Sequence, residues 1–256
     1  MNNTLATYQK LCTEFYDLEL EHSPDAQAVL AFYLAYAKAA HGPILEPMCG
    51  SGRFLIPMLQ AGCDIQGFDA SEHMLEALRH KYATINDKTA PVWQQLVQDF
   101  TSSTRYNLIF VPFGSWGLIT DLTTSQQCLN LMYEHLAVGG TLLLEIETVA
   151  SVPEHCDVWC QGANTRADGS TIALNTLASY NWQTQMFSSQ CRYDLIVNGI
   201  ITESESETFE QYVYRFDEMD AMLRSAGFAS IKKYQDYAKT VATDASAPII
   251  IYECVK

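Results

Sequence analysis

A strand, a glycine turn and a helix start follow one another in residues 44–59, and this stretch constrains the fold most. An apolar run ends in Glu46, Gly50 and Gly52 lie one residue apart, and a helical pattern begins at Phe54. Glycine suits a turn of this kind because a Cβ would forbid the torsions and the close approach to a ligand that the turn needs. The stretch therefore predicts the βα unit of a nucleotide-binding sheet.

Acidic residues follow the next two predicted strands. The strand over 64–69 ends in Asp69, and a carboxylate at that tip can accept hydrogen bonds from both hydroxyls of a ribose. The strand over 92–97 precedes Asp99 and Phe100, which can bracket a purine between an acceptor for its amine and an apolar ring. Asp99 has an alternative role as a turn or helix cap. These features predict a ligand that contains an adenosine-like ribose.

Strands alternate with helices five times before residue 150, which favours a parallel, doubly wound sheet. The fourth and fifth strands are predicted over 106–111 and 141–147, with a loop over 112–117 after the fourth. Ligands of such sheets lie at the carboxyl ends of the strands. The residues expected at this edge are Glu46, Asp69, Asp99, Pro112 to Trp116 and Glu147.

Two predicted helices precede the first strand. The first covers residues 4–22, with apolar residues spaced three and four apart, and the second begins near Ser23 and Pro24 and stops before Gly42. We expect both helices to cover the sheet. For Tyr16, in the first helix, packing against the sheet and contact with the ligand are alternative roles.

The pattern changes after residue 150. Residues 151–215 contain β-prone segments, with Asn198-Gly199 as a type I′ hairpin signal, and so predict an antiparallel insertion. The insertion carries aromatic residues such as Tyr180 and Trp182, and it can serve as a lid, a substrate wall or the contact of a homodimer. The predicted organisation is N-terminal helices and a ligand-binding core over 1–150, the insertion over 151–215, and a closing helix and β-hairpin of the core over 216–256.

Charge and composition exclude several classes of partner. The chain of 256 residues carries 30 acidic and 15 basic residues, a formal net charge of −15. Such a charge repels phosphate backbones and anionic membranes, so neither nucleic acid nor a membrane is an expected partner. The eight cysteines include no C-x-x-C pair, which favours reduced thiols in a cytoplasmic protein. Cys156 and Cys160 beside His155 fit no zinc spacing, so no metal site is predicted.

These motifs resemble those of the class I S-adenosylmethionine-dependent methyltransferases, in particular the small-molecule branch. Glu46–Arg53 is similar to their glycine-rich first motif, and Gly67–Leu75 to their ribose-binding second motif. Gln98–Phe100 occupies the place of their adenine-side acid, and Tyr106–Trp116 resembles their fourth strand. The resemblance implies a Rossmann-like seven-stranded sheet with an antiparallel edge, S-adenosylmethionine as cofactor and S-adenosylhomocysteine as product.

The resemblance also implies which residues bind. Cofactor contacts are expected from Tyr16, Glu46, Met48, Cys49, Gly50, Ser51, Gly52, Arg53, Asp69, Ala70, Met74, Gln98, Asp99, Phe100, Pro112 and Phe113. Trp116, Tyr180 and Trp182 are candidates for the wall of the acceptor site. Met48 departs from the family, which usually has its first glycine there, and so narrows the space near the methionine part of the cofactor.

The implied reaction is direct in-line transfer of a methyl group to a nitrogen or oxygen nucleophile of a small molecule. Glu147, at the tip of the fifth strand, is a candidate base, with a solvated or structural acid as the alternative reading. The alternative functions are an RNA, DNA or protein methyltransferase and a protein that binds the cofactor without catalysis. A nicotinamide-dependent oxidoreductase would need a third glycine where this chain has Leu55.

Overall fold

The computed structural model describes residues 7–21, 26–154 and 156–256. Ser23 and Pro24, predicted to begin the second helix, lie outside the described residues, as do residues 4–6 of the first predicted helix and His155. The helices of the described part are α1 (Lys10–Glu21), α2 (Ala26–Ala39), α3 (Leu55–Gln60), α4 (Glu72–Ala83), α5 (Leu122–His135) and α6 (Glu218–Ala226).

The strands fall into two sheets. Those of the larger sheet are β1 (Ile44–Pro47), β2 (Ile65–Asp69), β3 (Val92–Gln94), β4 (Tyr106–Val111), β5 (Leu136–Glu147), β10 (Ser230–Tyr234) and β11 (Ile249–Val255). Its seven strands run in the order β10-β11-β5-β4-β1-β2-β3. The pairs from β5 to β3 are parallel, whereas β11 is antiparallel to both β5 and β10. The predicted Rossmann-like sheet with an antiparallel edge is confirmed.

The larger sheet is buried on both faces, which explains why its central strands are continuously apolar. In β4, Ile109 and Val111 pack into the core on one face, while Leu108 and Phe110 pack into the core on the other. Successive side chains of a strand point to opposite faces, so a strand covered on both sides needs apolar residues throughout.

The third strand is shorter than predicted. It ends at Gln94 instead of continuing to Val97, and a short 3-10 turn over Val97–Asp99 follows it. The chain leaves the sheet there because Val97 turns into the core, where it is 5% exposed. This change of direction decides which residues after β3 reach the ligand edge.

The smaller sheet is antiparallel and lies within the predicted insertion. Its strands are β6 (Trp159–Thr165), β7 (Thr171–Asn181), β8 (Met186–Val197) and β9 (Ile200–Tyr212), in that order. The hairpin residues Asn198 and Gly199 both have positive φ, 51° and 79°, as a type I′ turn requires. One face of the sheet packs on α1, where Phe15, Ile172 and Tyr193 belong to one buried cluster. The insertion is therefore attached to the core through α1.

The described part of the chain contains neither a membrane-spanning helix nor a group of metal-binding side chains. No helix in these ranges is long and apolar enough to cross a membrane. In the same ranges, no three or more His, Cys, Asp or Glu side chains are grouped so that they could hold a metal ion.

Candidate active site

A cavity of about 490 Å³ opens at the carboxyl ends of the parallel strands. It lies between the tips of β1, β2 and β4, the turn after β3, the start of α1 and the end of β9. Its volume is in the range of sites for small molecules and cofactors. The predicted cofactor residues that line it are Tyr16, Met48, Gly50, Asp69, Ala70, Met74, Gln98 and Phe113.

Ser115, expected at this edge, also lines the cavity, and sequence reasoning missed twelve further lining residues. They are Thr7, Tyr8, Gln95, Leu96, Val97, Leu118, Ile119, Thr120, Asp121, Thr124, Phe209 and Glu210. Those after β3 and β4 follow predicted strand tips, so their place in the chain was a usable signal. Tyr8, Phe209 and Glu210 carried none, because they reach the cavity only through the packing of α1 on the insertion.

The two glycines of the turn serve different purposes. Gly50 has a φ of +52°, and a Cβ there would meet only the Met74 Sδ at 3.9 Å, so it would project into nearly open space beside the cavity wall. Gly52 has a φ of +87°, and a Cβ there would lie 2.7 Å from Leu78 Cγ. Gly50 therefore leaves room for a ligand, whereas Gly52 permits close packing of the turn on α4.

Three other residues of the cavity wall hold left-handed backbone without being glycine. Tyr8 and Met48 each have a φ of 57°, and Phe113 has a φ of 55°. Such torsions cost a residue with a Cβ about 1–2 kcal/mol each. Met48 thus keeps the turn conformation that glycine would allow, and it lines the cavity.

Asp69 links β2 to the glycine turn and faces the cavity. Its Oδ2 accepts from the Gly50 N–H at 2.8 Å and its Oδ1 from the Ser71 N–H at 2.8 Å. Burial raises the pKa of the Asp69 carboxyl, and these backbone hydrogen bonds oppose that rise. Each oxygen keeps a lone pair for a further donor, so the carboxylate can also accept from a ligand.

Glu46 is the clearest sign of a missing polar partner. The residue is 2% exposed, and its Oε2 has no hydrogen-bond partner within the described part of the chain. Burial and the nearby Asp69 charge raise the pKa of the Glu46 carboxyl well above its ordinary value. A buried oxygen without a protein partner normally has a hydrogen-bond partner from a ligand or from water.

The rest of the predicted first motif lies behind the cavity. Cys49 and Ser51 are buried, and burial together with the Glu46 and Asp69 charges raises the pKa of the Cys49 thiol well above its ordinary value. Ser51 donates its hydroxyl hydrogen to Asp17 of α1. Cys49, Ser51 and Gly52 therefore support the turn without lining the cavity.

Arg53 supports two residues that do line the cavity. Its guanidinium carbon lies 3.8 Å from the centroid of the Phe113 ring, and the guanidinium hydrogen-bonds the Tyr16 hydroxyl. Phe113 also stacks on Phe54, with ring centroids 5.5 Å apart. The cation–π contact and the stacking hold Phe113 in its strained conformation at the cavity wall.

Carboxylates of the insertion hold the start of α1 over the cavity. Glu207 accepts from the backbone N–H groups of Tyr8 and Gln9, both at 2.7 Å, and Glu205 accepts from Leu11 N–H at 2.7 Å. Helix N-termini favour negative charge because their first N–H groups have no partner within the helix. The insertion thus fixes Tyr8, which packs edge-on against Phe209 at 4.9 Å.

The structure corrects the predictions for Phe100 and Trp116. Phe100 is 2% exposed and stacks on Phe68 at 5.0 Å, so it belongs to the core and does not cover a ligand. Trp116 is fully buried and donates its indole N–H to Ser125 Oγ at 2.8 Å. Both side chains turn inward because the 3-10 turns that follow β3 and β4 reverse the expected directions.

Five other predicted residues also lie off the cavity. Asp99 is exposed, and its carbonyl oxygen accepts from Gln95 Nε2 at 2.8 Å, while Pro112 is buried below the loop after β4. Glu147 is partly buried beside Gly114, since a Cβ on that glycine would lie 2.9 Å from Glu147 Cγ. Tyr180 and Trp182 line a separate cleft of about 660 Å³.

Comparison with known proteins gives a family for this site. Residues 44–140, which run from β1 into β5 and include the glycine turn and Asp69, match the family described as "Methyltransferase domain". This part of the chain is therefore similar to a methyltransferase domain. The chain is 22% identical over 233 residues to the putative methyltransferase YqeM of Bacillus subtilis (strain 168), with 88% of each chain covered.

Two solved structures show the same fold as this protein. An S-adenosylmethionine-dependent methyltransferase from Clostridium acetobutylicum is 14% identical, with a TM-score of 0.78 and coverage of 94% of this chain and 96% of that one. The sugar N-methyltransferase KedS8 from a Streptoalloteichus species is 17% identical, with a TM-score of 0.74 and coverage of 94% and 92%.

The site fits the cofactor on three observations of its own. The space beside Gly50 admits a ligand against the backbone, Asp69 keeps free lone pairs towards the cavity, and Glu46 has a buried oxygen that lacks a donor. S-adenosylmethionine carries a ribose diol and an ammonium group, which are the donors that such carboxylates accept from.

Proposed function

We propose that the protein is an S-adenosylmethionine-dependent methyltransferase that acts on the amine nitrogen of a small molecule. The observation that carries the proposal is a group of carboxylates in and beside the cavity wall. Asp69, Asp121 and Glu210 line the cavity, and Glu147 lies beside Gly114, whose neighbours Phe113 and Ser115 line it. In a chain with a net charge of −15, such a group attracts a cationic acceptor.

Each residue proposed to contact the cofactor has its own role. Asp69 accepts from the ribose hydroxyls, Glu46 accepts from the ammonium of the methionine part, and Gly50 lets the backbone approach. The bound cofactor supplies a sulfonium-activated methyl group. Phe113 and Tyr16, both held by Arg53, align this end of the ligand and exclude water.

Glu147 is the proposed proton acceptor. A protonated amine has no free lone pair, so a base must remove a proton before the nitrogen attacks. Burial and the neighbouring Glu145 charge raise the pKa of the Glu147 carboxyl, which brings it closer to the range in which a carboxylate is an effective base. Its position beside Gly114 puts it next to Phe113 and Ser115 of the cavity wall.

The enclosed cavity and the relatives support a small acceptor. The name printed for KedS8 describes a sugar N-methyltransferase, and another solved structure with the same fold is described as an amino pentose methyltransferase. The insertion covers the cavity through Phe209 and Tyr8, which leaves little room for a duplex or a folded protein. A homodimer through the insertion and a cytoplasmic location stay predictions of the sequence.

The test is an acceptor screen with the purified protein and S-adenosylmethionine, in which S-adenosylhomocysteine release is measured. Primary and secondary amines, alcohols, a short RNA and a peptide mixture form the panel. We expect turnover with amines, and Glu147→Gln should lower kcat at least tenfold while cofactor affinity changes less than twofold. Preferential turnover of alcohols, RNA or peptides would refute the proposal, and binding without turnover of any acceptor would favour a non-catalytic role.

A further inference from the structure

The structure contains a second cleft, of about 660 Å³. It lies where the β7–β8 hairpin faces the end of β5 and the loop before α6. Its walls combine aromatic and polar side chains, chiefly Tyr180, Trp182, Arg215, Phe216 and Glu218.

The two cavities share a wall. Gln211 donates from its side-chain amide to the Gly114 carbonyl oxygen at 3.3 Å, and a Cβ on Gly114 would lie 2.9 Å from Glu147 Cγ and 3.4 Å from Gln211 Nε2. Phe113 and Ser115, which flank Gly114, line the cofactor cavity, whereas Thr148, which follows Glu147, lines the second cleft. Gly114 and Glu147 therefore link the lining of one cavity to that of the other, and this link is the shared wall.

The strand register shows that both cavities border the same face of the smaller sheet. Tyr180 is directly opposite Phe187, which is directly opposite Gln211. Side chains of directly opposite residues point to one face, and Phe209, two residues before Gln211, shares that face. Phe209 lines the cofactor cavity and Tyr180 the second cleft, so one face of the smaller sheet borders both.

Polar contacts fix the floor of the second cleft. Glu218 accepts from Tyr212 at 2.6 Å, from Gln185 Nε2 at 2.8 Å and from the Arg215 N–H at 3.0 Å. These bonds hold the chain on both sides of the cleft, so it is built before a ligand arrives. Preformed sites of this kind combine apolar walls with a few polar groups.

Three side chains of the cleft have binding capacity left over. Trp182 is 69% exposed although it packs edge-on against Tyr180 at 4.8 Å. The Tyr180 hydroxyl is buried and has no hydrogen-bond partner in the part of the chain that the structure describes. Arg215 is exposed and forms no ion pair there. The cleft therefore offers an exposed aromatic side chain and a cationic donor at its rim, with an unpartnered hydroxyl beneath them.

We propose that the second cleft binds a hydroxylated ring of the saccharide type, which forms the body of the acceptor whose amine is methylated at the shared wall. A saccharide ring presents C–H groups on its face, which suit Trp182, and hydroxyls at its edge, which suit Tyr180 and Arg215. The inference rests on the proposed amine methylation and adds the part of the acceptor that does not react.

The test uses the full chain saturated with S-adenosylhomocysteine, titrated with methyl glycosides of 2-, 3- and 4-amino-deoxyhexoses and with cyclohexylamine. Binding is followed by calorimetry and by tryptophan fluorescence, and turnover with S-adenosylmethionine is measured in parallel. We expect an amino sugar to bind more tightly than cyclohexylamine. Trp182→Ala should raise its Kd and KM about tenfold and Tyr180→Phe about threefold, with kcat and cofactor affinity within twofold of wild type.

Trp159→Ala is the matched control, because Trp159 is a 58% exposed indole of the same sheet outside the cleft. It should leave every constant unchanged. Amino-sugar binding that Trp182→Ala and Tyr180→Phe do not weaken would overturn the inference, as would the absence of saturable binding by the whole panel. Cleft-dependent binding without methyl transfer would support the cleft and refute only the proposed function.

Discussion

The contact between the insertion and α1 can be tested through Glu207. This carboxylate is 5% exposed and accepts two backbone N–H groups, those of Tyr8 and Gln9, at 2.7 Å. Glu207→Gln keeps the shape of the side chain, but its single oxygen can serve only one of the two donors, and its NH₂ group faces the other. The substitution should therefore weaken the attachment of α1 while the rest of the fold stays intact.

The magnitude follows from the bonds that are lost. One hydrogen bond to a charged group contributes about 1.5–3 kcal/mol, and a negative charge at a helix N-terminus about 0.3–1 kcal/mol. Burial raises the pKa of the Glu207 carboxyl, so relief of its desolvation offsets part of the loss. We expect the substitution to weaken the attachment of α1 by about 2 kcal/mol. If cofactor binding requires the start of α1 to lie over the cavity, this corresponds to at most about a 30-fold weaker cofactor affinity.

Calorimetric titration with S-adenosylhomocysteine and hydrogen exchange of the α1 amides measure the two consequences separately. Glu203→Gln is the control, because Glu203 also lies on β9 and pairs with Lys10 of α1, but at 3.4 Å and with both side chains largely exposed. Such a pair contributes less than about 1 kcal/mol. If the Glu207→Gln and Glu203→Gln variants bind S-adenosylhomocysteine with equal affinity and have equal exchange rates for the α1 amides, the insertion does not hold the start of α1 over the cavity.

The remaining predictions concern the turn and the buried acids. Asp69→Asn should weaken cofactor binding at least tenfold, measured by calorimetry, because an amide replaces one of the oxygens that accept from Gly50 and Ser71. Gly50→Ala should abolish cofactor binding. Gly139→Ala, at an open position with a φ of 77°, should lower stability alone. Met48→Gly should keep the turn and enlarge the site, since glycine relieves about 1–2 kcal/mol of left-handed strain; tighter binding of bulkier sulfonium analogues would reveal the added space, and unchanged selectivity would contradict it. Glu46 has a folded pKa raised above its ordinary 4.5, so its stabilising contribution is present below that value and is lost as pH rises through the folded pKa. Denaturant unfolding at several pH values should therefore show Glu46→Gln gaining stability relative to wild type as pH rises, and a parallel pair of pH profiles would refute this.

The strand–turn–helix start and the alternation of strands with helices could be predicted from the sequence because they depend on residues close together in the chain. Torsions at Gly50 and Gly52, the cap at Ser71 and the apolar run of β4 depend on residues a few positions apart. The same local logic located the hairpin at Asn198 and its type. It did not locate β6, whose residues are almost all exposed and lack an apolar period.

Side-chain direction at the strand tips was beyond the sequence. Phe100 and Trp116 follow strands that end where predicted ligand contacts should begin, yet both turn into the core. The cause is the 3-10 turn after each strand, which a pattern of two or 3.6 residues does not encode. Residues beside them in sequence, such as Gln98 and Phe113, reach the cavity instead.

By itself the sequence determined the sheet, the glycine turn and the acid at the tip of β2, since each depends on neighbouring residues and on the burial of a continuous apolar strand. Only the tertiary structure decided how the site is closed. Glu207 meets Tyr8 across 199 positions of the chain, and Gln211 meets Gly114 across 97. Contacts at such separations arise when two independently formed sheets pack around α1, and no local pattern of residues specifies that packing.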